Sequence, residues 1–198
     1  MTTLAGKRII IAGGATGIGA ATAERAAREG ASVLIGDINL DRARQTAQGI
    51  VDAGGRALAT RFDLADEASI DAMHRLAMAE LGGVDGLFNV GADLRASGDL
   101  TEANPDRDGD LLDMPMHVWR QTFETNLTGY VLLCRAALPA MLEQGGGVIV
   151  NASSGAGSSA MPNRPAYAAS KAGVESITRH IAARWGKQGI RCNAVAPG

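Results

Sequence analysis

The sequence predicts an α/β protein with a doubly wound parallel sheet, in which helices cover both faces and so form three layers. Short apolar runs of strand length alternate along the chain with longer segments of helix length. Glycines stand at the ends of most of these segments. This alternation is typical of βαβ units with right-handed crossovers. Because the chain has 198 residues, we expect residues 1–198 to form a single domain.

We predict each element from its apolar pattern and from the residues that begin and end it. The predicted strands cover residues 7–12, 32–36, 56–62, 84–88, 148–152 and 190–196. The predicted helices cover residues 20–29, 41–52, 66–81, 115–143 and 165–187. Ligands of such sheets bind beyond the carboxyl ends of the strands, so the segments that follow the strands are the candidates for a site.

The composition argues against several classes of protein. Apolar residues make up 46% of the chain and charged residues 20%, which is ordinary for a soluble globular protein. A net charge of −2 argues against a nucleic acid or an anionic membrane as the main partner. No apolar run reaches the length of a membrane span, and the N-terminal residues lack a secretory signal. We therefore expect a cytoplasmic protein without a membrane partner.

Cysteine and histidine usage predicts no metal site. Cys134 and Cys192 lie in apolar surroundings without metal-ligand spacing, so we expect buried thiols in a reducing compartment. The histidines are scattered along the chain, and we expect each on a helix surface or at a helix start.

A glycine-rich turn, Gly13-Gly14-Ala15-Thr16-Gly17-Ile18-Gly19, follows the first predicted strand and leads into an alanine-rich helix. This context is that of a dinucleotide-phosphate site. The glycines let the backbone approach the pyrophosphate, and the helix N-terminus supplies free N–H groups. The alternative is a loop that only caps the helix.

Asp37 ends the second predicted strand, about 20 residues beyond the glycine turn. A carboxylate at this place accepts hydrogen bonds from the hydroxyls of an adenosine ribose and repels a 2′-phosphate. We therefore expect NAD rather than NADP as the cofactor. The alternative is that Asp37 only caps the next helix, which begins near Asp41.

Tyr167 and Lys171 are four residues apart, which puts both on one face of the last predicted helix. A fixed positive charge lowers the pKa of a tyrosine by favouring the phenolate, so the pair is predicted to act as an acid/base unit. Ser154 lies thirteen positions before Tyr167, just after an apolar strand, and is predicted to hold a carbonyl or alcohol oxygen. The alternative is a surface tyrosine on an amphipathic helix.

Two asparagines, Asn126 and Asn89, also stand near the predicted site. Asn126 lies within the apolar stripe of the helix predicted over 115–143, so its amide needs hydrogen-bond partners there. A bond to a backbone carbonyl is the structural alternative, and it is compatible with a functional role. Asn89 begins the small-residue segment Asn89-Val90-Gly91-Ala92 after the fourth strand, where a ligand can approach the backbone.

Residues 93–113 have no clear periodicity and contain seven acidic residues against two arginines. A loop of this length within a compact domain is usually functional or mobile. Since it follows the fourth strand, we expect this insertion to wall a substrate site or to form an oligomer contact. A solvated insertion without a role is the alternative.

Together these motifs resemble those of the classical short-chain dehydrogenase/reductase family, from residue 7 to residue 198. The family's glycine motif T-G-x-x-x-G-x-G is matched with Ala12 in place of threonine, and its N-N-A-G motif is altered to Asn89-Val90-Gly91-Ala92. Its catalytic residues fall on Asn126, Ser154, Tyr167 and Lys171. The cofactor positions fall on Gly13, Thr16, Gly17, Ile18, Gly19, Asp37, Asp63, Leu64, Asn89, Gly91, Tyr167, Lys171, Pro197 and Gly198.

The resemblance implies a Rossmann fold and hydride transfer between NAD(H) and a secondary alcohol or ketone. Tyr167 would be the general acid/base, and Lys171 would favour its phenolate and bind the nicotinamide ribose. Ser154 would bond the substrate oxygen, and Asn126 would hold a water that links Lys171 to solvent. Many relatives form tetramers through the two helices that here carry Asn126 and Tyr167, so a homotetramer or homodimer is expected.

The resemblance also implies a last strand and a substrate loop that do not follow Gly198 in this sequence. We expect a fragment of a longer protein, and a natural truncation is the alternative. A non-catalytic NAD-binding or regulatory protein is therefore a second functional hypothesis beside the dehydrogenase.

Overall fold

The computed structural model describes residues 3–93 and 106–197. The strands are β1 (Arg8–Ala12), β2 (Ser32–Asp37), β3 (Arg56–Arg61), β4 (Gly86–Asn89), β5 (Gly147–Ala152) and β6 (Ile190–Val195). The α-helices are α1 (Gly17–Arg28), α2 (Leu40–Asp52), α3 (Glu67–Leu81), α4 (Met116–Phe123), α5 (Gly129–Glu143) and α6 (Pro165–Trp185). All six strands pair in parallel, in the order β3-β2-β1-β4-β5-β6. The predicted doubly wound sheet is therefore confirmed.

Apolar side chains bury both faces of the sheet. Neighbouring residues of a strand point to opposite faces, so Ile10 belongs to one core and Ile11 to the other. The core around Ile10 packs against α3, α5 and α6, with Tyr130 and Leu133 among its buried side chains. The core around Ile11 packs against the alanines of α1 and α2, including Ala23. Small side chains on α1 let that helix lie close to the sheet.

The strand register brings the segments that carry the motifs to one edge of the sheet. Ala12 at the end of β1 pairs with Gly36 of β2 on one side and with Asn89 of β4 on the other. Asn89 in turn pairs with Asn151 near the end of β5. The glycine turn, Asp37 and the segments after β4 and β5 therefore leave the sheet side by side, as the parallel prediction requires.

The helix predicted over 115–143 is continuous, but it is not α-helical throughout. Residues Glu124–Thr128 form a π-helical segment between α4 and α5. Such segments are rare and occur frequently at functional sites, and Asn126 lies in the middle of this one. The sequence shows only the apolar stripe of a helix, and that stripe carries no signal for the wider turn.

Other boundaries differ by a few residues from the predicted ones. The first helix begins at Gly17 rather than at residue 20. The fourth strand begins at Gly86 rather than at residue 84, because Asp85 turns its carboxylate to the Arg8 backbone and side chain, at 2.9 and 2.7 Å. Among the described residues, no helix is both long and apolar enough to cross a membrane.

Candidate active site

The glycine turn between β1 and α1 is shaped by close backbone packing. Gly13 has φ of 94°, and a Cβ there would collide with the backbone of Gly91. A Cβ on Gly19 would collide with the carbonyl oxygen of Gly13. Gly17 also has a positive φ, of 54°, but a Cβ there would meet open space. Gly13 and Gly19 are therefore required by the fold, whereas Gly17 keeps a surface free at the start of α1.

The N-terminus of α1 presents backbone N–H groups beside this open space. Thr16 is the N-cap residue, and within the described chain its side chain makes no capping hydrogen bond. The first N–H groups of a helix have no intrahelical partner, so here they can bind an anion. Ile18 lies beside them with 53% of its surface exposed.

Asp37 connects the end of β2 to the glycine turn. One carboxylate oxygen accepts the N–H of Ala15 at 3.0 Å, and the other accepts the N–H of Asn39 at 3.0 Å. The cap of α2 is instead Asn39, whose side-chain oxygen accepts the N–H of Arg42. The alternative in which Asp37 only caps α2 is therefore wrong. Each carboxylate oxygen can accept more than one hydrogen bond, so capacity for a ligand is left.

Two candidate residues, Asp63 and Leu64, follow β3 and lie in different surroundings. Asp63 accepts the N–H of Ala65 at 2.9 Å through its carboxylate, in a turn that leads into α3. Leu64 is buried, and its side chain lies against the backbone of Gly91 and Gly129. Leu64 thus packs below the segment that follows β4.

Asn89 lies inside the sheet core, with its side chain fully buried. Its amide nitrogen donates to Oδ1 of Asn151 at 2.8 Å, and the amide nitrogen of Asn151 donates to Thr178 at 2.9 Å. Gly91 receives the hydroxyl of Tyr130 on its carbonyl oxygen at 2.9 Å. These bonds brace the end of β4 although the sequence lacks the family's second asparagine there.

Asn126 is fully buried at the middle of the π-helical segment. Its side-chain oxygen accepts the N–H of Asp93 at 2.8 Å, which ties the start of the 93–113 insertion to the helix. Its amide nitrogen has no hydrogen-bond partner among residues 3–93 and 106–197. The predicted need for partners is therefore met at the oxygen by the backbone N–H of Asp93. A bond from the amide to a backbone carbonyl, the alternative, is not observed among the described residues.

Lys171 lies one turn after Tyr167 on α6. It is almost fully buried, with 2% of its surface exposed. Its ammonium donates to the carbonyl oxygen of Ala152 at 2.8 Å. The ammonium lies 5.7 Å from the centre of the Tyr167 ring and 5.1 Å from that of Tyr130. Burial lowers the pKa of Lys171 to about 8, because the charged form loses its hydration.

The two serines after β5 have different surroundings. Ser153 is buried, donates to the Glu175 carboxylate at 2.9 Å and contacts the carbonyl oxygen of Lys171. Ser154 is half-buried, and its hydroxyl oxygen accepts the N–H of Ala156 at 3.3 Å. Ser153 thus fixes the strand to α6, whereas Ser154 stands at the start of the loop that leads to Tyr167.

The last described residues come close to this loop. The carbonyl oxygen of Pro197 accepts the N–H of Gly155 at 3.2 Å. Pro197 therefore lies close to Ser154, the residue before Gly155. Gly198 lies outside the described residues, as do residues 94–105 of the insertion.

Two residues that the sequence reasoning did not single out lie at Tyr167. The carboxylate of Asp108 accepts the backbone N–H groups of Ala166 and Tyr167, at 3.1 and 2.8 Å. The Arg164 guanidinium stacks over the Tyr167 ring, 4.2 Å from its centre. A signal existed in the sequence: Pro165 marks a helix start, yet the residue before it, Arg164, has no acceptor that could cap the helix.

A parallel doubly wound sheet with a glycine turn after β1 and an acidic residue at the end of β2 is typical of nucleotide-binding proteins of the Rossmann class. The profile of the family described as short chain dehydrogenase matches residues 7–198, so the chain belongs to the short-chain dehydrogenases, a family of oxidoreductases. This confirms the family that the motifs resemble.

Relatives with assigned names agree with this membership. The chain is 40% identical to the cis-4-hydroxycyclohexanecarboxylate dehydrogenase of Sinomonas cyclohexanicum, over 96% of this chain and 71% of that protein. It is 37% identical to a 7α-hydroxysteroid dehydrogenase of Bacteroides fragilis, over 100% of this chain and 73% of that protein. The chain thus spans about 70% of the length of these relatives.

Solved structures show the same fold. A 7α-hydroxysteroid dehydrogenase in complex with NADH and 7-oxo glycochenodeoxycholic acid superposes with a TM-score of 0.89 at 35% identity, over 98% of this chain and 71% of that one. A short chain dehydrogenase from Mycobacterium smegmatis superposes with a TM-score of 0.89 at 34% identity, over 100% of this chain and 78% of that one.

Proposed function

We propose that this protein interconverts a secondary alcohol and a ketone with NAD(H), with Tyr167 as the general acid/base. The observation that carries the proposal is the buried ammonium of Lys171, held by Ala152 at 2.8 Å and 5.7 Å from the Tyr167 ring. With a pKa of about 8, this group is mainly charged at neutral pH. A positive charge at such a distance favours a phenolate. Burying a lysine costs stability, and a role in catalysis would explain why this chain bears that cost.

The described residues fit a dinucleotide. The open space at Gly17 and the free N–H groups of α1 suit a pyrophosphate. The Asp37 carboxylate suits the two hydroxyls of a ribose and would repel a 2′-phosphate, which favours NAD over NADP. When bound, the nicotinamide supplies the hydride chemistry. We propose as its binding residues Gly13, Thr16, Gly17, Ile18, Gly19, Asp37, Asp63, Leu64, Asn89, Gly91, Tyr167, Lys171, Pro197 and Gly198.

Each catalytic residue then has one task. Tyr167 as phenolate takes the hydroxyl proton of the alcohol in oxidation, and as phenol it gives a proton to the ketone oxygen in reduction. Ser154 donates a hydrogen bond to the substrate oxygen, where charge develops. Lys171 keeps the phenolate favourable. Asn126 offers its buried amide nitrogen to a water on the route between Lys171 and solvent.

The names of the relatives indicate the substrate class. Two of them are named for alcohols on saturated rings, a hydroxycyclohexanecarboxylate and a 7α-hydroxysteroid. We therefore propose a ring-borne secondary alcohol as the substrate. D-Threitol, for which a relative from Mycolicibacterium smegmatis is named, is the acyclic comparison.

The test is NADH formation with these three alcohols. We expect turnover by the full-length gene product, and loss of at least about a hundredfold in kcat in Tyr167→Phe, with NAD affinity reduced much less than kcat. Adjacent serines give a matched pair: Ser154→Ala should lower kcat, whereas Ser153→Ala should lower mainly thermal stability. NAD binding without turnover of any alcohol would contradict the proposal and favour the non-catalytic alternative.

We further propose a cytoplasmic homo-oligomer, a tetramer or a dimer, assembled through the helices that carry Asn126 and Tyr167. The family resemblance supports the assembly, and the free buried thiols of Cys134 and Cys192 are compatible with a reducing compartment. Light scattering on the purified protein tests the assembly, and a monomer at micromolar concentration would contradict it.

A further inference from the structure

The start of α6, the helix that carries Tyr167, is held by a segment far away in the sequence. A helix leaves its first N–H groups without intrahelical partners. Pro165 has no N–H, and the N–H of Ala168 bonds to the carbonyl oxygen of Arg164 at 2.9 Å. The N–H groups of Ala166 and Tyr167 remain, and both are bound by the carboxylate of Asp108.

We call the contact between Asp108 and the start of α6 the joint, and this contact is buried. Asp108 has only 1% of its surface exposed, and each of its carboxylate oxygens accepts one helix N–H. A buried carboxylate is stable only where it is well bonded, and the positive end of the helix dipole favours it here. The backbone adds to the joint, because the N–H of Arg164 bonds to the carbonyl oxygens of Asp108 and Gly109, at 3.1 and 2.8 Å.

The joint also places the ring of Tyr167. Arg164 is held in a left-handed conformation, with φ of 62°. Non-glycine residues rarely adopt it, and it persists only where the surroundings enforce it. From there the Arg164 guanidinium stacks 4.2 Å from the centre of the Tyr167 ring. One face of the ring and the backbone of the same residue are therefore both fixed by the joint.

We propose that Asp108 is a positioning residue that sets Tyr167 for proton exchange, so that this part of the insertion acts on the site through Tyr167. The inference rests on the proposed function for its kinetic part. Misplacing a reacting group by about 1 Å can cost about a hundredfold in rate. A cap that serves only stability would leave kcat unchanged in the folded protein.

The test compares Asp108→Ala and Asp108→Asn with Asp66→Ala. Asp66 caps α3 through the N–H of Ala68 at 3.0 Å and lies on a helix without catalytic residues, so it controls for the loss of a helix cap. At a temperature where all three variants are folded, Asp108→Ala should lower kcat between about ten- and a hundredfold, with the KM for NAD within about twofold. Asp108→Asn keeps one acceptor oxygen and should lose less. Asp66→Ala should keep the kcat of the unaltered protein.

Amide hydrogen exchange gives a readout that does not depend on turnover. The N–H groups of Ala166 and Tyr167 should be protected in the unaltered protein and in Asp66→Ala, and should lose that protection in Asp108→Ala. Retained protection, or a kcat for Asp108→Ala equal to that for Asp66→Ala, would overturn the inference. If the unaltered protein turned over no alcohol, the proposed function would fail, while the exchange rates would still decide whether Asp108 holds Tyr167.

Discussion

The carboxylate of Asp37 accepts the backbone N–H of Ala15 at 3.0 Å, which joins the end of β2 to the glycine turn. The residue proposed to select the cofactor therefore also shapes the loop proposed to bind the phosphates. The two roles involve the same side chain but predict different losses, in cofactor preference and in stability.

Replacing Asp37 by Ala should weaken NAD binding by about tenfold or more, since hydrogen bonds to a charged group contribute roughly 1.5–3 kcal/mol. Binding of NADP should weaken much less, because the repulsion of its 2′-phosphate is lost too. Titration of both cofactors measures the ratio of the NADP and NAD dissociation constants. Asn39→Ala, which removes the cap of α2, should lower stability by about 1 kcal/mol and leave the ratio unchanged. An unaltered ratio in Asp37→Ala would contradict the ribose role.

Burial of Lys171 predicts a stability that depends on pH. Its pKa of about 8 in the folded protein lies below the ordinary value of 10.5. Between these values the unfolded chain binds more protons than the folded one, so stability rises with pH. Burial of the charged lysine therefore lowers the free energy of unfolding by roughly 3 kcal/mol below pH 8. This cost decreases as the pH rises from 8 to 10.5 and is absent at higher pH.

The measurement is urea unfolding of the protein and of Lys171→Met at several pH values from 7 to 10. The stability of the unaltered protein relative to the variant should be constant below pH 8 and then rise. The exposed Lys187 provides the control, since Lys187→Met relieves no burial and should give a flat difference. A flat difference for Lys171→Met as well would show that the ammonium is hydrated in solution.

Asn151 is the centre of the polar chain inside the core, between Asn89 and Thr178. Asn151→Ala should lower the free energy of unfolding by roughly 2–4 kcal/mol, because a cavity forms and the Asn89 amide loses its 2.8 Å partner. Asn193→Ala, at an exposed position of β6, should stay within about 0.5 kcal/mol. Denaturant titration measures both, and a similar small effect at the two sites would contradict the bracing role.

The elements of this fold could be predicted from the sequence because each is marked locally. Strands such as Val148 to Ala152 are short apolar runs, and Pro165 and the glycines mark helix ends. Tyr167 and Lys171 share a helix face by spacing alone. Asn151 was also detectable in principle, since a polar residue within an apolar buried strand needs partners.

What the sequence could not reveal depends on distant contacts. Asp108 bonds to Tyr167 across 59 residues, from a segment without periodicity. The π-helical segment around Asn126 has the same apolar stripe as an α-helix, so only its packing distinguishes it. The different roles of Ser153 and Ser154 likewise follow from which of them faces Glu175.

Gly17 and Gly54 separate a ligand effect from a backbone effect. Both have positive φ, of 54° and 83°, and a Cβ on either would meet open space in the protein. Gly17→Ala and Gly54→Ala should therefore each cost about 1–2 kcal/mol of stability, the usual penalty for a left-handed alanine. Only the Cβ at residue 17 would enter the space proposed for the pyrophosphate, so only Gly17→Ala should weaken NAD binding, by about tenfold or more. Calorimetric titration of NAD with both variants measures this difference. Equal NAD affinity in the two variants would place the pyrophosphate away from the start of α1, and the phosphate role of the glycine turn would then have to be abandoned.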